Sequence, residues 1–182
     1  PRTPRMDEVD ICRILEQASV FLERECEGKG IQLKRDCPEG TTALGDRDLL
    51  YRAVYNLLGN AIQAMGHARE AGADGEGHGG LIEVGVGHES TETGNWLLLT
   101  VRDSGPGFDV QNLDKLKDPF FSTPDPGTGL GLAIVSSIGE SHGGELTLAN
   151  HPEGGAVATL RLPAARATAA QKPARAALPV PK

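Results

Sequence analysis

Apolar residues recur along this chain with two periods, and the clearest run is helical. From Asp46 to Ala68 the sequence reads DRDLLYRAVYNLLGNAIQAMGHA, with Leu50, Val54, Leu57, Leu58, Ala61 and Met65 on one broad stripe. The run holds no proline, has no glycine before Gly59, and is rich in leucine and alanine, which favour helix. The spacing predicts one long helix with Asp46 as its N-cap. Asn56, Asn60 and Gln63 fall at i, i+4 and i+7, so they share a second face that borders the stripe rather than opposing it. Carboxamides do not favour helix interiors. Taken alone, the row reads as a solvated polar edge; two glycine-rich stretches downstream change that balance.

Elsewhere the pattern is weaker but ordered. Val9 to Cys26 carries Ile11, Ile14, Leu15, Ala18 and Leu22 at helical spacing, with Asp10 as N-cap and Gly28 and Gly30 as the stop. Ile31 to Cys37 reads as a strand, and Pro38 to Gly40 as a turn. Arg69 to Gly80 is a glycine-rich polar loop. Leu81 to Val86 and Trp96 to Arg102 alternate as strands around a turn at Thr93-Gly94-Asn95, and WLLLTV is apolar enough for a central strand. Asp109 to Pro126 has poor periodicity and reads as a mobile excursion. Leu130 to Ile138 predicts a helix stopped by His142-Gly143-Gly144. Glu145 to Ala149 and Ala156 to Leu162 then form a hairpin around Pro152 to Gly155. This places one domain at 8–162, a linker before it, and a disordered tail rich in alanine, proline and basic residues at 163–182.

Composition narrows the classes. The 182 residues suffice for one domain with a real core, and 38% hydrophobic with 24% charged residues is a soluble globular composition. A net charge of -7 and only 4% aromatic residues argue against a nucleic-acid surface. Cys12, Cys26 and Cys37 are odd in number and lack a CxxC spacing. That argues against a disulfide framework and a zinc site, fits a reducing, cytoplasmic setting, and leaves each as a single thiol.

Three stretches carry candidate chemistry. In Asp103-Ser104-Gly105-Pro106-Gly107-Phe108 a carboxylate ends an apolar strand and is followed by bare backbone, an arrangement that can accept a hydrogen bond from an exocyclic amine such as adenine N6. An Asx turn is the plain alternative. In GTGLGLA the glycines Gly127, Gly129 and Gly131 expose backbone N–H groups at a helix start, which suits a polyphosphate; a glycine-rich hinge is the plain alternative. No Lys-Ser or Lys-Thr follows, so it is not a Walker A loop, and no strand precedes it, so it is not a dinucleotide fingerprint. Asn60 can give a magnesium ion one oxygen, with Asn56 adding a contact through water or phosphate. No carboxylate stands at position 56 to activate a water, which favours phosphoryl transfer over hydrolysis.

Together these stretches resemble the catalytic and ATP-binding domain of sensor histidine kinases, within the superfamily shared with gyrase, the heat-shock chaperone and the mismatch-repair ATPases. NLLGNAIQAM resembles the N box, DSGPGF the G1 box, DPFF the F box and GTGLGLAIV the G2 box, and the wording is closest to nitrogen-regulation sensor kinases. The resemblance spans Val9 to Leu162. It implies an α+β fold, a two-layer sandwich of a mixed, mostly antiparallel sheet with helices on one face and a mobile ATP lid. It implies Asp103 at the adenine, Asn60 on magnesium, and Asn56 and Gln63 near the phosphates. Gly105, Gly107 and Phe108 would line the base. Phe120 and Phe121 would sit at the lid base, and Gly127, Thr128, Gly129, Leu130, Gly131 and Leu132 at the phosphate end. It implies ATP and Mg2+ as ligands, and a separate dimerisation and phosphoacceptor domain and a response regulator as partners. None of His67, His78, His88, His142 and His151 has the acceptor context, so the reading is a monomeric catalytic domain without its acceptor. Many relatives carry a lysine after the F-box threonine, where this chain reads Thr123-Pro124-Asp125-Pro126; Lys115 or Lys117 could replace it, or be plain surface lysines. Within the same fold, an ATPase, an anti-sigma-type serine kinase and a non-catalytic nucleotide-sensing module remain the alternatives.

Overall fold

The computed structural model describes residues 3–70, 79–119, 121 and 130–165. The loop at 71–78, Phe120, the cluster of Gly127, Thr128 and Gly129, and the tail from 166 lie outside the described residues. In order the elements are β1 (Asp7–Asp10), α1 (Ile11–Gly28), β2 (Gln32–Asp36), β3 (Thr42–Gly45), α2 (Arg47–Glu70), β4 (Leu81–Thr91), β5 (Gly94–Asp103), a 3-10 turn at Lys115–Lys117, α3 (Gly131–Ser141), β6 (Glu145–Asn150) and β7 (Ala156–Pro163).

Both long helices begin at the aspartates that the sequence offers. Asp10 accepts the Arg13 N–H at 3.0 Å, and Asp46 Oδ1 accepts from Asp48 N–H at 3.1 Å and Leu49 N–H at 3.3 Å. The apolar stripes of α1 and α2 are their buried faces, from Ile11 to Leu22 on one and from Leu50 to Met65 on the other.

β2, β4, β5, β7 and β6 form one five-stranded sheet in that order. β2 joins β4 in parallel, and every other pair is antiparallel. Alternation decides the two faces. Ile82, Val84, Val86, Leu97, Leu99, Val101, Leu146, Leu160 and Leu162 are buried beneath the helices. The opposite face carries Trp96, Arg102 and Arg161, where Arg161 lies 4.0 Å over the Trp96 ring and 3.1 Å from Glu89. The architecture is the α+β two-layer sandwich expected. No helix among the described residues is long and apolar enough to cross a membrane.

Three features depart from the pattern. Asp7–Asp10 pairs antiparallel with Thr42–Gly45 in a small ribbon, where the end of a linker at Asp7 and the start of the first helical run at Val9 were expected on one side and no element was predicted on the other. The strands are four residues long, too short for a period to register. The β4–β5 turn falls at Glu92-Thr93, earlier than expected, because the ladder runs on to pair Thr91 with Gly94. Cys12 and Cys37 are joined in a disulfide, not single thiols. The fold brings the first turn of α1 to the end of β2, with the two Cα atoms 5.6 Å apart, a proximity that no spacing in the sequence announces. Cys26 is the buried free thiol that was expected; burial, then the neighbouring Glu25, pushes its thiol above the ordinary range.

Candidate functional site

Asp103 ends β5 on its core-facing side and is 4% exposed. Among the described residues, both hydrogen bonds to its side chain reach Oδ1, from Gly105 N–H at 2.9 Å and Ala156 N–H at 3.2 Å. Oδ2 receives none among the described residues. Burial pushes the carboxyl above the ordinary aspartate range, while the bonds from Ala156 and Gly105, and the charge of Arg102, pull it back. The site therefore holds a carboxylate at some cost, with one oxygen fixed and one left to accept.

The loop after Asp103 is pressed against α2. A Cβ added at Gly105 would lie 3.0 Å from Asp103 Oδ1 and 3.4 Å from Met65 Sδ. Ser104 ties this corner to the start of β4, accepting the Leu81 N–H at 2.9 Å through Oγ and donating its own N–H to Leu81 O at 3.0 Å. Phe108 packs its ring on the core.

The carboxamide row is divided in use. Asn56 donates through Nδ2 to Arg52 O at 2.7 Å, back along its own helix. Its Oδ1 faces the start of α3, 3.6 Å from where a Gly131 Cβ would stand. Asn60, one turn on, is half-buried and makes no hydrogen bond among the described residues. Gln63 is exposed. Leu130 stands at the N-cap of α3 without a side-chain cap, and Leu132 is buried. Among the described residues no side chain caps the first N–H groups of α3, which start beside Asn56, a local preference for negative charge.

The structure therefore brings Asp103, Gly105 and Met65 together at one end, and Asn56 and Gly131 at the other, with α2 between them. Phe120, Gly127, Thr128 and Gly129 lie outside the described residues, so the F box is represented by Phe121, which is half-buried. Lys117 does not point to a free surface: its Nζ donates to Leu146 O at 3.1 Å on the sheet edge.

Sequence reasoning missed two supports. The turn between β6 and β7 holds Asp103 from behind. Gly155 has φ 91° and is packed so that a Cβ would overlap the Asp103 carbonyl oxygen. His142, 3% exposed, joins α3 to the start of α2: Asp46 N–H donates to Nε2 at 3.0 Å, so the proton sits on Nδ1, 2.7 Å from Ile138 O. The cue for Gly155 was the Gly-Gly pair in the turn. His142 offered none beyond its place at a helix end.

The model of the family described as histidine kinase-, DNA gyrase B-, and HSP90-like ATPase matches residues 45–166. The chain is 32% identical over 156 residues to the sensor histidine kinase ZraS of Escherichia coli, covering 85% of this chain and 30% of that one. It is 34% identical over 151 residues to the nitrogen regulation protein NtrY of Azorhizobium caulinodans, covering 83% and 18%. The chain thus spans less than a third of these curated relatives. Among solved structures, the mycobacterial sensor histidine kinase MprB superposes with a TM-score of 0.72 at 26% identity, covering 88% of this chain and 98% of that one.

Proposed function

The chain belongs to the family of histidine kinase-, DNA gyrase B- and HSP90-like ATPases, as an ATP-binding catalytic domain of the sensor histidine kinase kind, and we propose from that premise how its residues work. The domain takes ATP with the adenine amine on Asp103 and the phosphates toward Asn56, Asn60 and the start of α3. Within a longer protein it delivers the γ-phosphoryl group to a histidine on a separate helical domain, from which a response-regulator aspartate receives it.

The observation that carries this reading is Asp103 itself. A buried carboxylate with one oxygen fixed by two backbone N–H groups and the other free is a selective acceptor for an amine. A ligand without that amine would leave it desolvated and unpaired.

Magnesium fits the donor set. Among the described residues no cluster of three or more His, Cys, Asp or Glu could hold a metal, whereas Asn60 has an uncommitted carboxamide on the face that Asn56 turns toward α3. When bound, the ion neutralises phosphate charge. The protein's own part is positioning. Asn56 is tethered to its helix and α3 offers open N–H groups, so the reactive end is held rather than attacked. No carboxylate stands at position 56, which weighs toward transfer over hydrolysis.

Calorimetric titration with ADP and a non-hydrolysable ATP analogue, with and without magnesium, tests the site. Asp103→Asn should weaken binding about 100-fold, and Asn60→Ala should remove the magnesium dependence. With a helical acceptor domain supplied, the unaltered chain should label a histidine, giving an acid-labile, base-stable phosphoryl group. Binding that survives Asp103→Asn unchanged would refute the adenine assignment.

A further inference from the structure

We propose that Asn150, which lies outside all four motifs, is a positioning residue of the nucleotide site that fixes the loop against which the base packs; the proposal rests on the adenine assignment above. Asn150 is the last residue of β6 and is exposed. Its Oδ1 accepts the Phe108 N–H at 2.6 Å, and its Nδ2 donates to Phe108 O at 2.7 Å. One carboxamide thus pairs both backbone groups of a single distant residue, as a neighbouring strand would. Only a side chain offering a donor and an acceptor at fixed spacing can do this.

Three further observations tie the clamp to the site. Gly107 stands at φ 84°, and a Cβ there would lie 2.7 Å from Asn150 Oδ1, so the bare glycine and the reaching asparagine fit one another. Asn150 pairs in register with Ala156, whose N–H holds Asp103 Oδ1. The loop at 104–107 is therefore anchored at both ends from one hairpin, at Asp103 through Ala156 and at Phe108 through Asn150. Finally, an exposed asparagine is not needed to fill the core, which separates this role from packing.

A loop held before the ligand arrives need not be ordered by it. Asn150→Ala removes both bonds and should weaken ADP binding about tenfold. Hydrogen exchange at the Phe108 amide should quicken, while protection at Gly105 and Ala156, and the melting temperature of the nucleotide-free domain, stay close to those of the unaltered chain. Asn150→Ser, too short to bridge both atoms, should follow the same course and carries the test if the alanine variant folds poorly. ADP affinity within twofold of the unaltered chain would overturn the proposal. So would a general loss of protection and melting temperature, which would make the residue structural. If the unaltered chain fails to bind ADP, the adenine assignment falls and this role with it. If the unaltered chain binds and the variant binds equally, only the role of Asn150 is lost.

Discussion

At Asp103, burial and function oppose one another. Its carboxyl is pushed above the ordinary range chiefly by desolvation, so the nucleotide-free fold favours the protonated form more than the unfolded chain does. The stability from that proton is present below the ordinary aspartate value and is lost as pH rises through the raised folded value. At neutral pH the ionised side chain therefore weakens the empty domain. Asp103→Asn keeps an oxygen for Gly105 and Ala156 N–H, and is expected to raise the melting temperature at pH 7 while lowering ADP affinity about 100-fold. Protonation also competes with the adenine amine for Oδ2. ADP affinity should accordingly fall on acidification at a pH above that at which an ordinary aspartate titrates, and calorimetry from pH 7 down to pH 4 reads this directly.

Among the elements, α2 combines two tasks on two faces. One stripe is core, and the carboxamide row beside it carries the proposed phosphate and magnesium contacts. The hairpin of β6 and β7 supports the site with backbone and one side chain. Gly155→Ala should therefore do more than a turn substitution normally does. The new Cβ overlaps the Asp103 carbonyl at a positive φ, so both thermal stability and ADP affinity should drop together. The disulfide acts at a different place. It closes a span with a sequence separation of 25, joining α1 to the end of β2. Chain-entropy reasoning gives a loop of that size about 3.5 kcal/mol of stability. Cys12→Ser should lower the urea midpoint in oxidising buffer and have no effect in the presence of a thiol reductant.

Across the whole molecule, α2 and α3 pack together and both contribute to the proposed nucleotide site, so they must keep their spacing. His142 couples them, accepting from the first residue before α2 while completing the end of α3. His142→Ala leaves the buried Asp46 N–H without this acceptor and should cost about 2–3 kcal/mol in urea unfolding. Because its ring bonds Asp46 and Ile138 and neither Asp103 nor Asn60, the magnesium dependence of nucleotide binding should survive in the folded fraction.

The sequence by itself determined the helices, the places of all five strands of the larger sheet, and the motifs that gave the family. These are local. Periodicity reports which face will be buried, and glycines and aspartates report where chains turn or helices start. Asp103, Asn56 and Asn60 could be read because each stands in a short pattern with its own chemistry. The tertiary structure alone decided the disulfide, the Asn150 clamp, the His142 link and the β1–β3 ribbon. Each joins residues far apart in sequence, and such pairings depend on how sheet order and helix packing close the chain on itself. No local period encodes that closure. The carboxamide row lies between the two cases. Its face was legible, but its division was not, because the approach of Gly131 sets Asn56 apart from Asn60 only once α3 is packed.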